Sequence, residues 1–282
     1  MLPMRVLLIS ALAMLAFAGN SVFGRLALKT TSIDPATYMS LRLISAATVL
    51  AFIMVWRGKT AAREGNWASA IALFAYAVGF SLSYMNLTAG TGALLLFGAV
   101  QVTMISVSLR RGEKMNSLQA LGFALALAGL VGLVMPGLEA PPLTASALMI
   151  ASGVAWGIYS LRGRGAADAT AATAGNFLRT VPMTVLFSAV MFGEFRFDNS
   201  GALYAVLSGA ITSGLGYALW YKALAGLRPL QASIVQLSVP ILATFGGVMF
   251  IAESVTLRLI LVSVAVLGGI LLVIVERTTA HP

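Results

Sequence analysis

The sequence predicts an all-α fold, a polytopic membrane bundle of ten transmembrane helices. Three observations lead there. Of the 282 residues, 59% are hydrophobic and only 10% are charged, against about 45–50% and about 25% in an ordinary soluble domain. Mean hydropathy is +0.94, and a water-soluble fold must wet too much of its surface to hide that much apolar area. The apolar residues are also gathered into runs of the length a bilayer demands, about 20 residues each.

Ten runs follow in order: near Met4–Leu28, Pro35–Trp56, Trp67–Leu87, Gly90–Leu109, Ser117–Met135, Thr144–Leu161, Ala171–Phe192, Gly201–Ala223, Leu230–Ile251 and Leu257–Val275. The first has features of a secretory leader, with Arg5 ahead of the apolar stretch and Ala16-Phe17-Ala18 resembling a cleavage site. It is longer than a leader core, and the repeat described below requires it, so it reads as a mature helix. The connections are short and carry most of the charge. No room remains for a separate soluble domain.

The basic residues set the orientation. With the amino terminus inside, twelve of the 18 Lys and Arg residues fall on the cytoplasmic side: Arg5, Arg57, Lys59, Arg63, Arg110, Arg111, Lys114, Arg162, Arg164, Lys222, Arg228 and Arg277. Only Lys29, Arg196 and Arg258 fall outside, and Arg25, Arg42 and Arg179 lie within spans. Asp34, Glu139, Glu194, Asp198 and Glu253 lean outward. Loops rich in Lys and Arg stay in the cytoplasm, and an even number of spans then puts both termini there. The net charge of +9 therefore belongs to membrane-flanking loops and implies no nucleic-acid partner.

The two halves repeat. Shifted by 137 positions, Arg25 falls on Arg162, Leu41-Arg42 on Leu178-Arg179, Gly79 on Gly216, Tyr84 on Tyr221 and Leu87 on Leu224. After an insertion near Leu227-Arg228-Pro229 the shift becomes 140, and Glu113 meets Glu253, Leu121 meets Leu261 and Gly129 meets Gly269. Arginines inside spans are rare, so two of them coinciding at one offset carries most of the weight. The halves, residues 1–140 and 141–282, each hold five spans within one integrated membrane domain. An odd number of spans inserts the second half with opposite orientation. Inverted repeats of this kind hold a substrate near the midplane between the halves.

Tyr221-Lys-Ala-Leu, then Ala232-Ser-Ile-Val, Pro240, Glu253 and Leu267-Gly-Gly-Ile, resemble the second half of a ten-helix drug/metabolite transporter of the EamA type. Glu113 through Gly129 resembles the same motif in the first half, and the resemblance covers nearly the whole chain. Within that superfamily the pattern is most similar to the bacterial aromatic amino acid and paraquat exporters. The resemblance implies a multi-pass exporter of amino acids or related metabolites in the bacterial inner membrane, working by alternating access. One departure is that the position matching Pro240 in the first half is Val100, followed by Gln101; a polar group stands there in place of a kink.

Polar residues in lipid face the bundle interior. They occur in eight of the spans and are nearly absent from the fifth and tenth, which are predicted to be peripheral. Small residues on those two (Gly122, Ala126, Gly129, Gly132; Gly268, Gly269) suit close helix packing, either within a monomer or across a homodimer. The residues predicted to meet the substrate pathway are Asn20, Arg42, Tyr76, Tyr84, Gln101, Trp156, Tyr159, Arg179 and Gln236, with Pro240 as a hinge in the ninth span. Counting along the helices at about 1.5 Å per residue puts Gln101, Trp156 and Arg179 near mid-membrane, Gln236 toward the cytoplasm, and Asn20 and Arg42 toward the outside. Two readings stand for each arginine: recognition of a substrate carboxylate, or helix tethering through carbonyls. Their equivalent positions in the two halves suggest a shared structural role. Gln101 and Gln236 are read either as contacts to a substrate's polar end or as an interhelical hydrogen bond. Trp156, Tyr76 and Tyr159 offer an aromatic wall, whereas Tyr84 and Tyr217 suit the interfacial belt.

Absences narrow the chemistry. The chain has no cysteine, and its one histidine, His281, is the penultimate residue. Thiolate or histidine metal sites and Ser-His-Asp catalysis are thereby excluded. There is no HExxH, no acid pair within a span and no GxxxxGK[ST] phosphate loop, so the sequence predicts neither an enzyme nor an ATP-driven machine, and no cofactor. None of the nine acids lies inside a span, and proton-coupled carriers need a titratable group there. The expectation is facilitated efflux or exchange of amino acids without a proton relay. The alternatives are exchange of anionic metabolites such as phosphorylated sugars, and export of cationic drugs.

Overall fold

Nearly every apolar run becomes a helix because lipid leaves each backbone N–H and C=O to be satisfied within its own segment. The computed structural model describes residues 3–112, 114–137, 139–163, 166–227 and 229–279, and no strand occurs among them. Glu113, Arg164, Arg228 and His281 lie outside the described residues, as do the side chains of Ser233, Glu276 and Arg277. The helices are α1 (Met4–Thr30), α2 (Pro35–Trp56), α3 (Trp67–Ser83), α4 (Ala89–Arg110), α5 (Ser117–Val134), α6 (Leu143–Gly163) and α7 (Ala169–Val190). The eighth, α8 (Asn199–Leu224), is continuous through a π-helical stretch at Ser208–Leu215. The ninth, α9, comes in two pieces, Pro229–Gln236 and Ser238–Ile251, and α10 is Leu257–Thr279.

Among the described residues, eight helices are long and apolar enough to cross a membrane, two fewer than the spans predicted. The other two depart for different reasons. Helix α3 ends at Ser83, where Tyr84–Leu87 turn, and is only 17 residues long. Helix α7 has 22 residues but carries Thr173, Asn176, Arg179, Thr180 and Thr184, which lower its hydropathy. Most of these are buried against neighbouring helices.

Several loop acids and amides are explained by capping. Asp34, Asn66, Asp168 and Asp198 accept from first-turn backbone N–H groups of α2, α3, α7 and α8. Asn116 and Gln119 form a reciprocal capping box at α5. Each such cap is worth about 1 kcal/mol. The break in α9 falls at Leu237, three residues before Pro240. Proline has no N–H to donate to the carbonyl of Gln236 and its ring crowds that oxygen, so the kink sits one turn upstream of the residue that causes it.

The helix pairing is symmetric under exchange of each helix for the one five places on. Helix α3 packs on α6 as α8 packs on α1, and α4 on α6 as α9 on α1; α2 and α7 pack on each other, as do α4 and α9. Helices α5 and α10 pair with each other and otherwise touch mainly α4, at the side of the bundle. A Cβ on Gly122 would stand 2.6 Å from the carbonyl oxygen of Gly269, and one on Gly269 2.5 Å from that of Gly122. The two backbones cross in contact there, so Gly122, Gly129 and Gly269 serve packing within the chain, whereas Gly132 and Gly268 face open space.

The connections gather at two ends. At one, Arg57 and Lys59 of the α2–α3 loop meet Asp168, and Gly226 abuts Val6; this is the basic end. At the other, Asp34 pairs with the backbone of Arg196, Arg25 with Glu253, and Arg258 with the carbonyls of Gly132 and Met135.

Candidate substrate pathway

A cavity of about 1230 Å³ enters the bundle from the basic end. Arg57, Lys59, Asp168 and Lys222 surround its mouth; Val100, Met104, Trp220, Tyr221 and Gln236 line its walls; Trp156 and Tyr217 are its deepest residues. The Trp156 indole N–H donates to the Tyr217 hydroxyl, which joins α6 to α8 across the floor. Phe17 of α1 packs edge-on beneath them, its ring centroid 6.1 Å from Trp156, 5.7 Å from Tyr217 and 5.9 Å from Trp220. Phe97 of α4 completes the floor, 5.5 Å from Trp156.

Behind this floor lies a cavity of about 20 Å³, lined by Asn20, Ser21, Tyr76, Thr212 and Ser213 together with the same Trp156 and Tyr217. That volume suits about one water. A buried chain of hydroxyl and amide groups backs it. Tyr38 donates to Ser208 at 2.9 Å, Ser208 to the Asn20 carbonyl oxygen at 2.7 Å, and the Asn20 amide to the Tyr76 hydroxyl at 3.0 Å. The Arg42 Nη2 donates to the same Tyr76 oxygen at 2.7 Å.

Beyond this network the far end is shut. Arg25 Nε donates to Glu253 Oε1 at 2.8 Å, and its Nη1 to the carbonyls of Tyr84 and Met85, both at 2.9 Å. The other Glu253 oxygen accepts from the Ala89 N–H at 2.8 Å. Both side chains are nearly buried, 8% and 10% exposed. The pair ties α1 to the α3–α4 and α9–α10 connections. Removing one partner of such a buried pair strands the other charge.

At the mouth, Asp168 accepts from Lys59 at 2.6 Å and Arg57 at 3.0 Å. Partial burial pushes its carboxyl up, but the hydrogen bonds from Lys59 and the Ala171 N–H and the charges of Arg57 and Lys59 outweigh it, holding it at about 2. Asp168 is ionised at any physiological pH.

The residues named from sequence separate clearly. Trp156 lines both cavities, Asn20 and Tyr76 the small one, and Gln236 the large one. Gln101 is buried at 5% exposure, one residue from the lining Val100, but lines neither cavity. The Tyr159 hydroxyl donates to Thr173, behind the wall. Tyr84 packs on Phe80 near the closed end, where its carbonyl receives Arg25. Arg42 and Arg179 part company despite their equivalent positions. Arg42 reaches the network behind the floor, whereas Arg179 donates to the carbonyls of Glu64 and Gly175 and binds the α2–α3 loop to α7. The α2–α3 loop folds down against α7 to meet Arg179, a tertiary contact that counting along a straight helix does not reveal.

Tyr217, read from sequence as interfacial, is 6% exposed and lines both cavities. Its spacing from Trp220 and Tyr221, on one face of α8, was the available signal. Phe17 and Phe97 carried none, since phenylalanine in an apolar helix is indistinguishable from lipid-facing residues.

A helical bundle with a deep, aromatic-floored cavity open at one end and shut at the other is the architecture of a multi-pass membrane transporter. Family comparison agrees: both halves, residues 4–135 and 143–275, match the EamA-like transporter family. The chain belongs to that family. It is 51% identical over 274 residues to the uncharacterized protein PA1977 of Pseudomonas aeruginosa, covering 97% of this chain and 96% of that one. It is 25% identical over 257 residues to the uncharacterized transporter YoaV of Bacillus subtilis, covering 84% and 86%. An uncharacterized transporter of Archaeoglobus fulgidus is 23% identical over 261 residues, covering 87% and 90%. A solved crystal structure shares the fold at 19% identity with a TM-score of 0.65, covering 94% of this chain and 98% of that one.

Proposed function

We propose that the protein exports amino acids, aromatic and other neutral ones with broad specificity, across the bacterial inner membrane by alternating access. In this reading all ten helices span the bilayer, both termini are cytoplasmic, and residues 1–140 and 141–282 are five-helix repeats of opposite orientation. The basic end then faces the cytoplasm and the conformation is inward-open. The carrying observation is the aromatic floor: Trp156 and Tyr217 each meet Phe17 edge to face at about 6 Å and are joined by a hydrogen bond, a surface suited to an apolar side chain entering from the cytoplasm. Efflux is uncoupled from protons. The acid nearest the pathway's closed end, Glu253, is held by Arg25, and the mouth's Asp168 is held by Lys59 and Arg57. Pro240 is the hinge of α9, since the helix already breaks beside it. The crossing at Gly122 and Gly269 within one chain favours a monomer over a dimer formed through α5 and α10.

Reconstitution in proteoliposomes with radiolabelled phenylalanine, methionine and threonine tests this. Counterflow above empty liposomes is expected for all three, and none for any would sink the reading. Exchange of phosphorylated sugars is the second reading, supported by Arg57, Lys59 and Lys222 at the mouth; counterflow that requires a phosphate ester would establish it instead.

A further inference from the structure

Among the described residues, Arg42 is the buried charged side chain with nitrogens that lack hydrogen-bond partners. Its side chain is buried, with the residue 2% exposed, yet Nε and Nη1 have no hydrogen-bond partner. Its one bond is from Nη2 to the Tyr76 hydroxyl. Its Cζ lies over the Phe80 ring, 4.3 Å from the centroid, and over the Tyr76 ring at 5.1 Å. Ring faces attract a cation but do not neutralise it. A guanidinium stays charged, and a buried charge without a counter-ion is costly. The other intramembrane arginines escape that cost: Arg25 has a carboxylate and two carbonyls, and Arg179 two carbonyls.

A second feature tells what Arg42 is waiting for. Two donors, Arg42 Nη2 and the Asn20 amide, converge on one oxygen, that of Tyr76. Asn20 and Tyr76 both line the small cavity, so this oxygen stands between the cavity and the guanidinium. The Tyr76 ring centroid is 6.4 Å from that of Trp156; a molecule with its apolar part on the floor has its polar end here.

We infer that Arg42 and Asn20 form a carboxylate site at the inner end of the pathway, filled in this conformation by the Tyr76 hydroxyl acting as a placeholder. When substrate is occluded, its carboxylate displaces that hydroxyl from Nη2 and accepts from Nη2 together with one of the two nitrogens that now lack partners, Nε or Nη1. One guanidinium and one amide balance a monoanion; a phosphate dianion would leave a buried charge uncompensated, so the site selects carboxylates. The inference rests on the export reading only for the identity of the carboxylate's bearer.

The test uses the purified full-length chain in detergent, with thermal unfolding read against 3-phenylpropionate and its neutral amide. The wild type is expected to be stabilised by the acid and not by the amide. Arg42→Gln abolishes the preference for the acid, and Arg42→Lys keeps it with affinity lowered about tenfold, the scale of a lost charge-assisted hydrogen bond. Tyr76→Phe is decisive, because it deletes the competing oxygen: the acid should bind more tightly, by about threefold or more on the same scale. A purely structural Arg42 predicts weaker or unchanged binding in Tyr76→Phe, and that result overturns the inference. So does equal stabilisation of the wild type by acid and amide, or by neither. If Arg42→Gln fails to fold, Arg42→Lys and Tyr76→Phe decide. Acid binding without amino acid counterflow leaves this site standing and removes the export reading; counterflow without acid preference does the reverse.

Discussion

Arg25 and Glu253, 228 positions apart in the chain, meet at 2.8 Å and close the end of the bundle opposite the cavity mouth. Glu253→Gln should leave Arg25 buried beside two carbonyls but without its counter-ion, weakening the closed form by about 3–5 kcal/mol. The chain contains no cysteine, so Ser21→Cys provides a clean reporter in the small cavity. Labelling of that cysteine by a membrane-impermeant maleimide from the Glu253 side should rise at least about tenfold in the Glu253→Gln background, a conservative reading of that energy. Unchanged labelling would mean that the pair does not close the path.

The floor should set the apparent affinity for aromatic substrates. Trp156→Phe deletes the donor to Tyr217 while keeping an aromatic ring. The expected result is a KM for phenylalanine raised about three- to tenfold, the worth of one lost hydrogen bond and part of a ring contact, with little change for threonine. Equal effects on both would remove the floor as the apolar subsite.

The mouth should be indifferent to pH. Asp168, held at about 2 mainly by Lys59, the Ala171 N–H and Arg57 against the opposing effect of burial, has a folded value below its unfolded one. Its contribution is therefore complete above the ordinary carboxylate value of about 4 and fades only as pH falls toward 2. Between pH 5 and 8 Asp168 stays ionised. Efflux from proteoliposomes should then vary less than about twofold over that range, and an imposed pH gradient with the membrane potential clamped should not drive it. Strong stimulation by the gradient would establish proton coupling.

The crossing of α5 and α10 should tolerate nothing larger than glycine. Gly122→Val places a branched side chain against the Gly269 carbonyl, where a single Cβ already stands at 2.6 Å. Loss of thermal stability is expected, by about 1–3 kcal/mol for an overpacked contact. By contrast, Gly132 has open space at its Cβ position, and Gly132→Cys should neither destabilise the protein nor cross-link copies in the membrane. Efficient cross-linking would show that this face joins two protomers.

The helical bundle was largely legible in the sequence, because apolar run length is a direct consequence of bilayer solvation. The eight helices with polar residues were rightly separated from α5 and α10, since a hydroxyl or amide in lipid must turn inward. Position around the pathway was less legible. Arg42 and Arg179 occupy matching positions, yet one is tethered by a loop and the other is not, a difference made by tertiary packing. Gln101 and Val100 are adjacent, and a rotation of about 100° per residue decides which one faces the cavity. The ion pair of Arg25 with Glu253 joins two halves of the chain, and no spacing within either half announces it.

The π-helical stretch at Ser208–Leu215 gives α8 a change of phase along its length. At its start, Gly209 lies so close to α2 that a Cβ would overlap the Arg42 carbonyl oxygen; downstream of it, Tyr217, Trp220 and Tyr221 face the cavity. A wider turn accommodates about one additional residue relative to an α-helix, equivalent to about 100° of winding. The stretch therefore works as a register shim: shortening it by one residue would leave both ends helical and correctly composed while steering the aromatic face away from the path. In this helix, the number of residues between two contacts matters as much as their identity.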